Sequence, residues 1–161
     1  MAKIYTKKGD GGTTSLGNGR RVGKDDLRIE LLGQLDELNA TIGVVKALTT
    51  NDTPWDSIQD QLMALMGIIS KESNELEEKD NAYFQEIIKK MENDIDKRSC
   101  QEKFGFVKPG KHIAEAFIHL ARTKARTCER RMTALAKSSP VPSTIRIYMN
   151  RLSDYLFALT L

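Results

Sequence analysis

The strongest constraint on the fold is a hydrophobic repeat that recurs in five segments of this 161-residue chain. In the first segment the apolar residues step by three or four positions: Leu31, Leu35, Leu38, Ile42 and Val45. This spacing places them on one face of a helix, where they can pack against other helices. The same spacing predicts helices over residues 31–45, 55–69, 84–95, about 111–136 and 145–159. No segment has a strand-like alternation of useful length. The sequence therefore predicts an all-α protein, an antiparallel five-helix bundle over residues 25–161, preceded by an irregular loop over residues 1–24.

Composition narrows the class of protein further. The hydrophobic fraction of 40% suits one domain with a buried core, while the net charge of +3 is too small to indicate nucleic-acid binding. Cys100 and Cys128 form neither a disulfide framework nor a zinc motif. No apolar run reaches the roughly 18 residues that a membrane span needs, and no signal peptide begins the chain. We expect a single-domain, soluble cytoplasmic protein.

A second stripe on the first helix consists of small residues. It contains Ile29, Gly33, Asp36, Ala40 and Gly43. Glycine within a helix costs about 1 kcal/mol relative to alanine, so two glycines on one face indicate a close contact, for example with another subunit. Tolerance on an exposed face explains the stripe equally well.

The fourth helix carries a line of polar residues at spacings of three or four. They are His112, Glu115, His119, Arg122, Arg126 and Arg130. Spacing alone favours a solvated face with intrahelical pairs, such as Arg126 with Glu129. The alternative is an anion site, because aligned guanidinium groups repel one another and match phosphate oxygens in geometry. The two histidines stand two helical turns apart, about 10 Å, and cannot share one metal ion.

Two further polar segments allow the same pair of interpretations. The segment "YTKKGDGGTTSLGNGRR", residues 5–21, matches neither the P-loop nor the dinucleotide fingerprint. Its glycines, lysines and hydroxyls suit a phosphate loop, although a mobile polar terminus has the same composition. In the fifth helix Asn150 lies near Arg151 and Asp154, which by themselves favour a surface ion pair.

Taken together, these segments resemble one family. In order along the chain they are "YTKKGDGGTTSLGNGRRVGKDD", "GQLDELNATIG", "FVKPG", "HLARTKARTCERR" and "NRLSDYLF". They resemble the PduO-type ATP:corrinoid adenosyltransferases, which move the 5′-deoxyadenosyl group of ATP onto cobalamin. The resemblance covers nearly the whole chain and is weakest over about residues 52–103. It implies a homotrimer with active sites between subunits, and ATP, Mg²⁺ and cobalamin as the molecules bound. It also suggests a flavoprotein reductase or the adenosylcobalamin-dependent enzyme as partners.

The resemblance also assigns roles to individual residues. The implied ATP loop contains Thr6, Lys7, Gly9, Asp10, Gly12, Thr13 and Thr14, with Lys24 nearby. Arg126 and Arg130 correspond to the arginines that hold the triphosphate, Glu129 to the acid between them, and Asn150 to an asparagine that contacts the nucleotide. Asp36 corresponds to an aspartate that pairs across the subunit interface with the arginine at Arg126, and Phe106 to a phenylalanine beneath the corrin ring. No residue is predicted as a metal ligand.

Two departures from the family pattern affect these assignments. The family usually has Arg-Arg-Ala-Glu-Arg, whereas this chain has Thr127 in place of the second arginine. Weaker triphosphate binding is expected as a result. The segment "FVKPGK" also brings Lys108 and Lys111 near the implied corrin pocket.

The implied chemistry is an in-line displacement in which cobalt attacks the ribose 5′ carbon and triphosphate leaves. Because the corrinoid is the nucleophile, the protein needs no general base, and no catalytic triad is visible in the sequence. Two alternatives remain open: a non-catalytic ATP-binding bundle acting as a corrinoid chaperone or sensor, and a bundle that binds nucleic acid through its arginine stripe.

Overall fold

The computed structural model describes residues 5–49, 54–73, 75–99 and 107–161. Within these ranges the chain forms five helices, α1 (Leu27–Leu48), α2 (Trp55–Ser70), α3 (Glu78–Ser99), α4 (Ile113–Leu135) and α5 (Ser143–Ala158). Two short antiparallel strands, β1 (Thr13–Ser15) and β2 (Arg21–Gly23), precede them. The predicted all-α architecture is confirmed. None of these helices is long and apolar enough to cross a membrane.

Local sequence signals set the starts of the helices. Asp26 caps α1, its carboxylate accepting a hydrogen bond of 2.8 Å from the backbone N–H of Arg28. His112 caps α4 by accepting a hydrogen bond of 3.2 Å at Nδ1 from the backbone N–H of Glu115. Pro54 and Pro142 come immediately before α2 and α5, where a missing N–H costs no helical hydrogen bond.

The helices pack in the order α2, α1, α4, α5, α3 around one core. The leucine face predicted on α1 is fully buried, and at the centre of the core Phe84 meets Tyr148 edge to face with ring centroids 5.0 Å apart. An ion pair of 2.6 Å between Glu37 and Lys124 joins α1 to α4. The hydrogen bond from Arg28 to the carbonyl of Ile69 and the ion pair of 3.6 Å between Glu30 and Arg131 bring the start of α1, the end of α2 and the end of α4 to the same end of the bundle.

The N-terminal segment is more regular than the predicted irregular loop. Residues 13–23 form a hairpin in which Thr14 pairs with Val22, and residues 8–11 form a turn. Leu16 and Val22 are buried, and the backbone N–H of Gly17 donates a 2.9 Å hydrogen bond to the carbonyl oxygen of Ser70 at the end of α2. Strands of three residues are too short to show an alternating pattern, so sequence periodicity could not reveal this hairpin.

Candidate active site

A groove between α4 and α5 holds two of the predicted nucleotide contacts. Asn150 Nδ2 donates a 2.7 Å hydrogen bond to Glu129 Oε1. The groove has a volume of about 420 Å³, and Met132, Thr133, Arg146 and Ile147 also line it. It presents an amide, a carboxylate and a guanidinium beside an apolar wall, which are groups that suit a polar ligand with a flat ring.

The predicted triphosphate arginines lie exposed along the same side of α4. Arg130 donates a 3.0 Å hydrogen bond from Nη2 to Thr127 Oγ1. Arg126 lines a neighbouring cavity of about 360 Å³ together with Arg122 and Asp154. Among the residues that the structure describes, Arg126 makes no ion pair, and Glu129 binds Asn150 instead of Arg126. The intrahelical pair that spacing allowed is therefore absent, and the cationic surface is available to an anion.

Two residues in the first half of the polar line, Glu115 and His119, are buried, whereas His112 is exposed. Glu115 accepts hydrogen bonds of 2.8 Å and 3.1 Å from the backbone N–H groups of Gly110 and Lys111. Its Oε1 lies 3.1 Å from His119 Nε2, and His119 Nδ1 accepts a 3.3 Å hydrogen bond from Arg122. The polar line is thus not one solvated face: its beginning fixes the turn before α4, and its end carries the exposed arginines.

The pKa values of Glu115 and His119 are both lower than usual, for different reasons. The backbone N–H of Gly110 contributes most to lowering the pKa of Glu115, so its carboxylate stays charged. Burial lowers the pKa of His119, and the opposing attraction of Glu115 does not fully compensate. His119 therefore favours the neutral form at neutral pH.

The predicted ATP loop folds as one compact unit. The backbone N–H of Gly12 donates to the carbonyl of Gly9 at 3.2 Å, and that of Lys24 donates to the carbonyl of Gly12 at 2.9 Å. A Cβ added at Gly9 would lie 3.3 Å from Lys24 Nζ, so the glycine lets the ammonium group approach the loop. Lys7 has a left-handed backbone, with φ of 60°.

The remaining loop residues complete this unit. Arg21 Nη2 donates to the carbonyl of Lys8 at 2.9 Å and also to Thr13 Oγ1. Thr14 belongs to β1, and Thr6 and Asp10 are exposed. The loop therefore combines a lysine ammonium group beside Gly9 with exposed lysines and a threonine, which agrees with the phosphate-loop interpretation.

Other predicted site residues are not brought together within one chain. In the described part of the chain, no hydrogen bond or ion pair joins residues 5–24 to Arg126, Glu129, Arg130 or Asn150. Asp36 is exposed on α1 and makes no ion pair with Arg126 among the described residues. Phe106 lies outside the described residues.

The small-residue stripe on α1 is open at Gly33 but not at Gly43. A Cβ added at Gly33 would meet no atom of the described residues within 4 Å, whereas one at Gly43 would meet Gln59 at 3.4 Å. No described element of the same chain needs the space that Gly33 leaves. A contact with another subunit and simple tolerance both remain compatible with this surface.

Comparison with known proteins identifies the family. A family model described as cobalamin adenosyltransferase matches residues 4–161. The chain belongs to this family. Among relatives of this adenosyltransferase, the corrinoid adenosyltransferase of Bacillus subtilis is 36% identical, over 97% of this chain and 83% of the relative. The corrinoid adenosyltransferase PduO of Salmonella typhimurium is 37% identical, and there the match covers 97% of this chain but 48% of the relative.

Solved structures agree with this family. A variant PduO-type ATP:corrinoid adenosyltransferase from Lactobacillus reuteri, complexed with cobalamin and ATP, superposes with a TM-score of 0.87 at 27% identity. The superposition covers 98% of this adenosyltransferase and 89% of that chain. Another variant of the Lactobacillus reuteri protein, complexed with ATP, gives a TM-score of 0.84 at 28% identity over 98% and 92% of the two chains. The family resemblance of the five sequence motifs is confirmed.

Proposed function

We propose that this adenosyltransferase transfers the 5′-deoxyadenosyl group of ATP to the cobalt of cob(I)alamin, giving adenosylcobalamin and triphosphate. The observation that carries the proposal is the exposed surface of α4, where Arg126 and Arg130 flank a Glu129 that is bound to Asn150. Two cations on one face, neither with an ion-pair partner among the described residues, suit a polyphosphate. Membership of the family along nearly the whole chain fixes the class of reaction that this surface would serve.

In the proposed reaction no proton is transferred. The electron pair of cob(I)alamin forms the cobalt–carbon bond, and the bond between the 5′ carbon and its oxygen breaks with its electrons passing to triphosphate. The residues of this chain would therefore align the substrates and stabilise the growing negative charge. We assign charge stabilisation to Arg126, Arg130 and Lys7, and orientation of the nucleotide to Asn150 and the loop over residues 6–14.

We further propose that Mg²⁺ enters as part of Mg-ATP. Within the described residues there is no group of three His, Cys, Asp or Glu side chains that could hold a metal ion. Protein-bound Mg²⁺ usually keeps several waters and takes one or two carboxylates plus the substrate phosphates, so a preformed cage is not required. Asp10, the acidic residue of the loop over residues 6–14, is exposed and would be the candidate for one such carboxylate ligand.

We also propose a homotrimer in which each active site is completed by two subunits. The ATP loop and the α4–α5 groove share no polar contact within the described chain, and the Gly33 face of α1 is uncovered. Asp36 of one subunit would then pair with Arg126 of its neighbour, and Phe106 would contact the corrin ring. We place the enzyme in the cytoplasm, with a flavoprotein reductase or the adenosylcobalamin-dependent enzyme as partner.

A direct assay tests the proposal. Purified protein is incubated with Mg-ATP and chemically reduced cobalamin without oxygen, and adenosylcobalamin is followed by its light-sensitive absorbance while triphosphate is quantified. Equal amounts of the two products are expected. Absence of both, from protein shown to be trimeric by analytical ultracentrifugation, would contradict the enzymatic function.

The second candidate is a non-catalytic ATP-binding bundle that senses or delivers corrinoid. Thr127 favours it, because this residue replaces a family arginine and occupies a hydrogen bond of Arg130. The same assay separates the two functions: this candidate predicts binding of ATP and corrinoid without turnover.

A further inference from the structure

An acidic residue just beyond α2 gathers three side chains around it. Glu72 accepts hydrogen bonds from Arg20 at 2.8 Å and 2.5 Å and from Asn18 at 3.0 Å. Arg28 Nε lies 3.7 Å from the same carboxylate. Glu72 has a left-handed backbone, with φ of 57°, a conformation that is common just beyond the end of a helix but unusual for a non-glycine residue. We call Glu72, Asn18, Arg20 and Arg28 the Glu72 clasp.

Arg28 ties the clasp to the bundle. Its side chain is 1% exposed, and it donates hydrogen bonds of 2.7 Å to the carbonyl of Ile69 and 3.4 Å to that of Pro140. A buried guanidinium needs a nearby anion, and Glu72 is the carboxylate within ion-pair distance in the described structure. The clasp therefore joins the start of α1, the end of α2 and the segment before α5.

On its other side the clasp holds the hairpin. Asn18 and Arg20 belong to the turn between β1 and β2. Beside them, a Cβ added at Gly17 would collide with Ser70 Oγ and lie 3.2 Å from Ser70 Cβ, so a glycine favours this close approach to α2. The hydrogen bond from Arg20 contributes most to lowering the pKa of Glu72, which keeps the carboxylate charged and the contact in place at neutral pH.

We propose that Glu72 is a positioning residue for the nucleotide. By fixing the hairpin turn to the bundle, the Glu72 clasp holds the ATP loop in one orientation before the nucleotide arrives. The loop and hairpin are joined to each other, because the backbone N–H of Lys24 donates to the carbonyl of Gly12 and Arg21 donates to the carbonyl of Lys8. Ordering a binding loop in advance removes part of the entropic cost of binding. The inference rests on the proposed role of the loop in binding ATP.

Steady-state kinetics with each substrate varied separately test this role. Glu72→Gln and Arg20→Ala are each expected to raise KM for ATP about tenfold, because each removes charged hydrogen bonds that hold the turn. KM for corrinoid and kcat at saturating ATP should not change. The double variant should be no worse than the poorer single variant, since both changes release the same contact. Glu75→Gln, an exposed acid three residues away, is the matched control and should behave as wild type.

Arg20→Ala keeps the test informative if Glu72→Gln destabilises the fold, because it leaves Glu72 next to Arg28. An unchanged KM for ATP in folded Arg20→Ala would overturn the inference. A large rise in KM for ATP in Arg20→Ala, without a rise in folded Glu72→Gln, would also overturn the inference, because Arg20 would then bind phosphate itself. Calorimetric Kd values for Mg-ATP distinguish failure of this inference from failure of the proposed function. Absence of turnover by the wild-type protein would contradict the proposed reaction. The Kd of each variant for Mg-ATP would still test the role of the clasp.

Discussion

Asn150 on α5 holds Glu129 on α4 through a 2.7 Å hydrogen bond. This contact directs the carboxylate toward the groove and away from the arginines on either side of it. Arg126 is thereby left without the intrahelical neutralisation that its spacing from Glu129 allows. The cationic surface of α4 depends on a contact made by a different helix.

The first prediction concerns this contact. Asn150→Asp places a second carboxylate about 3 Å from Glu129, and the repulsion should disturb the groove and disfavour an anionic nucleotide. We expect KM for ATP to rise about tenfold or more, and Asn150→Ala to have a smaller effect. Asn93→Asp, an exposed position on α3, is the control. If Asn150→Asp binds Mg-ATP as tightly as wild type, the groove is not part of the nucleotide site.

The second prediction concerns the geometry of Arg126. Arg126→Lys keeps the charge and loses the planar fork that binds two phosphate oxygens together. Both kcat and kcat/KM for ATP should fall about tenfold or more, because the interaction is expected to strengthen as triphosphate leaves. Arg98→Lys changes an exposed arginine that is paired with Asp94 and should have no effect. Equal kinetics for wild type and Arg126→Lys would leave Arg126 a surface residue.

Most of the fold could be predicted from the sequence because burial of an apolar face positions each helix. The residues of the α1 repeat are fully buried, as a helical face against a core requires. The hairpin could not be predicted because its burial rests on Leu16 and Val22, two isolated apolar residues among glycines and charges. Arg28 was missed for a different reason. Arg28 lies three residues before Leu31, on the same face of α1, where an apolar residue is normal. A charged residue at that position was the one sequence signal for a buried arginine.

The candidate site was less predictable, because contacts between helices decide what each polar residue does. Spacing placed Glu115 and Arg126 on one face of α4, yet Glu115 is buried against the preceding turn while Arg126 is exposed. Pairing of Asp36 with Arg126 across an interface depends on a second subunit, which the pattern of one chain does not contain. The resemblance of the motifs supplied that expectation, and it stays a prediction.

The third prediction tests the assignment of Phe106, which rests on the family resemblance. Phe106→Ala should keep the affinity for Mg-ATP and lose most adenosylation, because the ring is expected beneath the corrin and not at the phosphates. Calorimetry with Mg-ATP and the anaerobic turnover assay measure the two effects on the same preparation. Parallel loss of ATP binding and turnover would mean that the ring has only a structural role.

The fourth prediction concerns a buried hydrogen bond in the core. Tyr148 donates through its hydroxyl to Gln61 Oε1 at 3.0 Å. Tyr148→Phe leaves that oxygen without its donor and should lower the free energy of unfolding by about 1–3 kcal/mol. Adding Gln61→Leu should recover much of the loss, because the buried acceptor is then removed and the second partner of Gln61, Ser57, is exposed to water. Tyr83→Phe, at a half-exposed position, should stay within about 0.5 kcal/mol of wild type in urea denaturation. A double variant less stable than Tyr148→Phe would contradict this account.

The fifth prediction is a loss of stability in mild acid that originates at His119. Its pKa is lowered in the fold by burial, with Glu115 opposing the shift and Arg122 and Lys111 reinforcing it. As pH falls below the ordinary histidine value of about 6.5, the unfolded chain takes up a proton that the folded chain resists, so stability decreases. The lowered pKa of Glu115 affects stability only at lower pH. The stability that it contributes is present above the ordinary glutamate pKa and is lost as the pH falls through the pKa of Glu115 in the folded protein. Between about pH 7.5 and 5.5 the Tm of wild type should therefore fall by about 3 °C or more, whereas His119→Gln, which keeps an amide toward Glu115, should give a flatter profile. Calorimetric scans that give parallel profiles for the two proteins would place the acid sensitivity elsewhere.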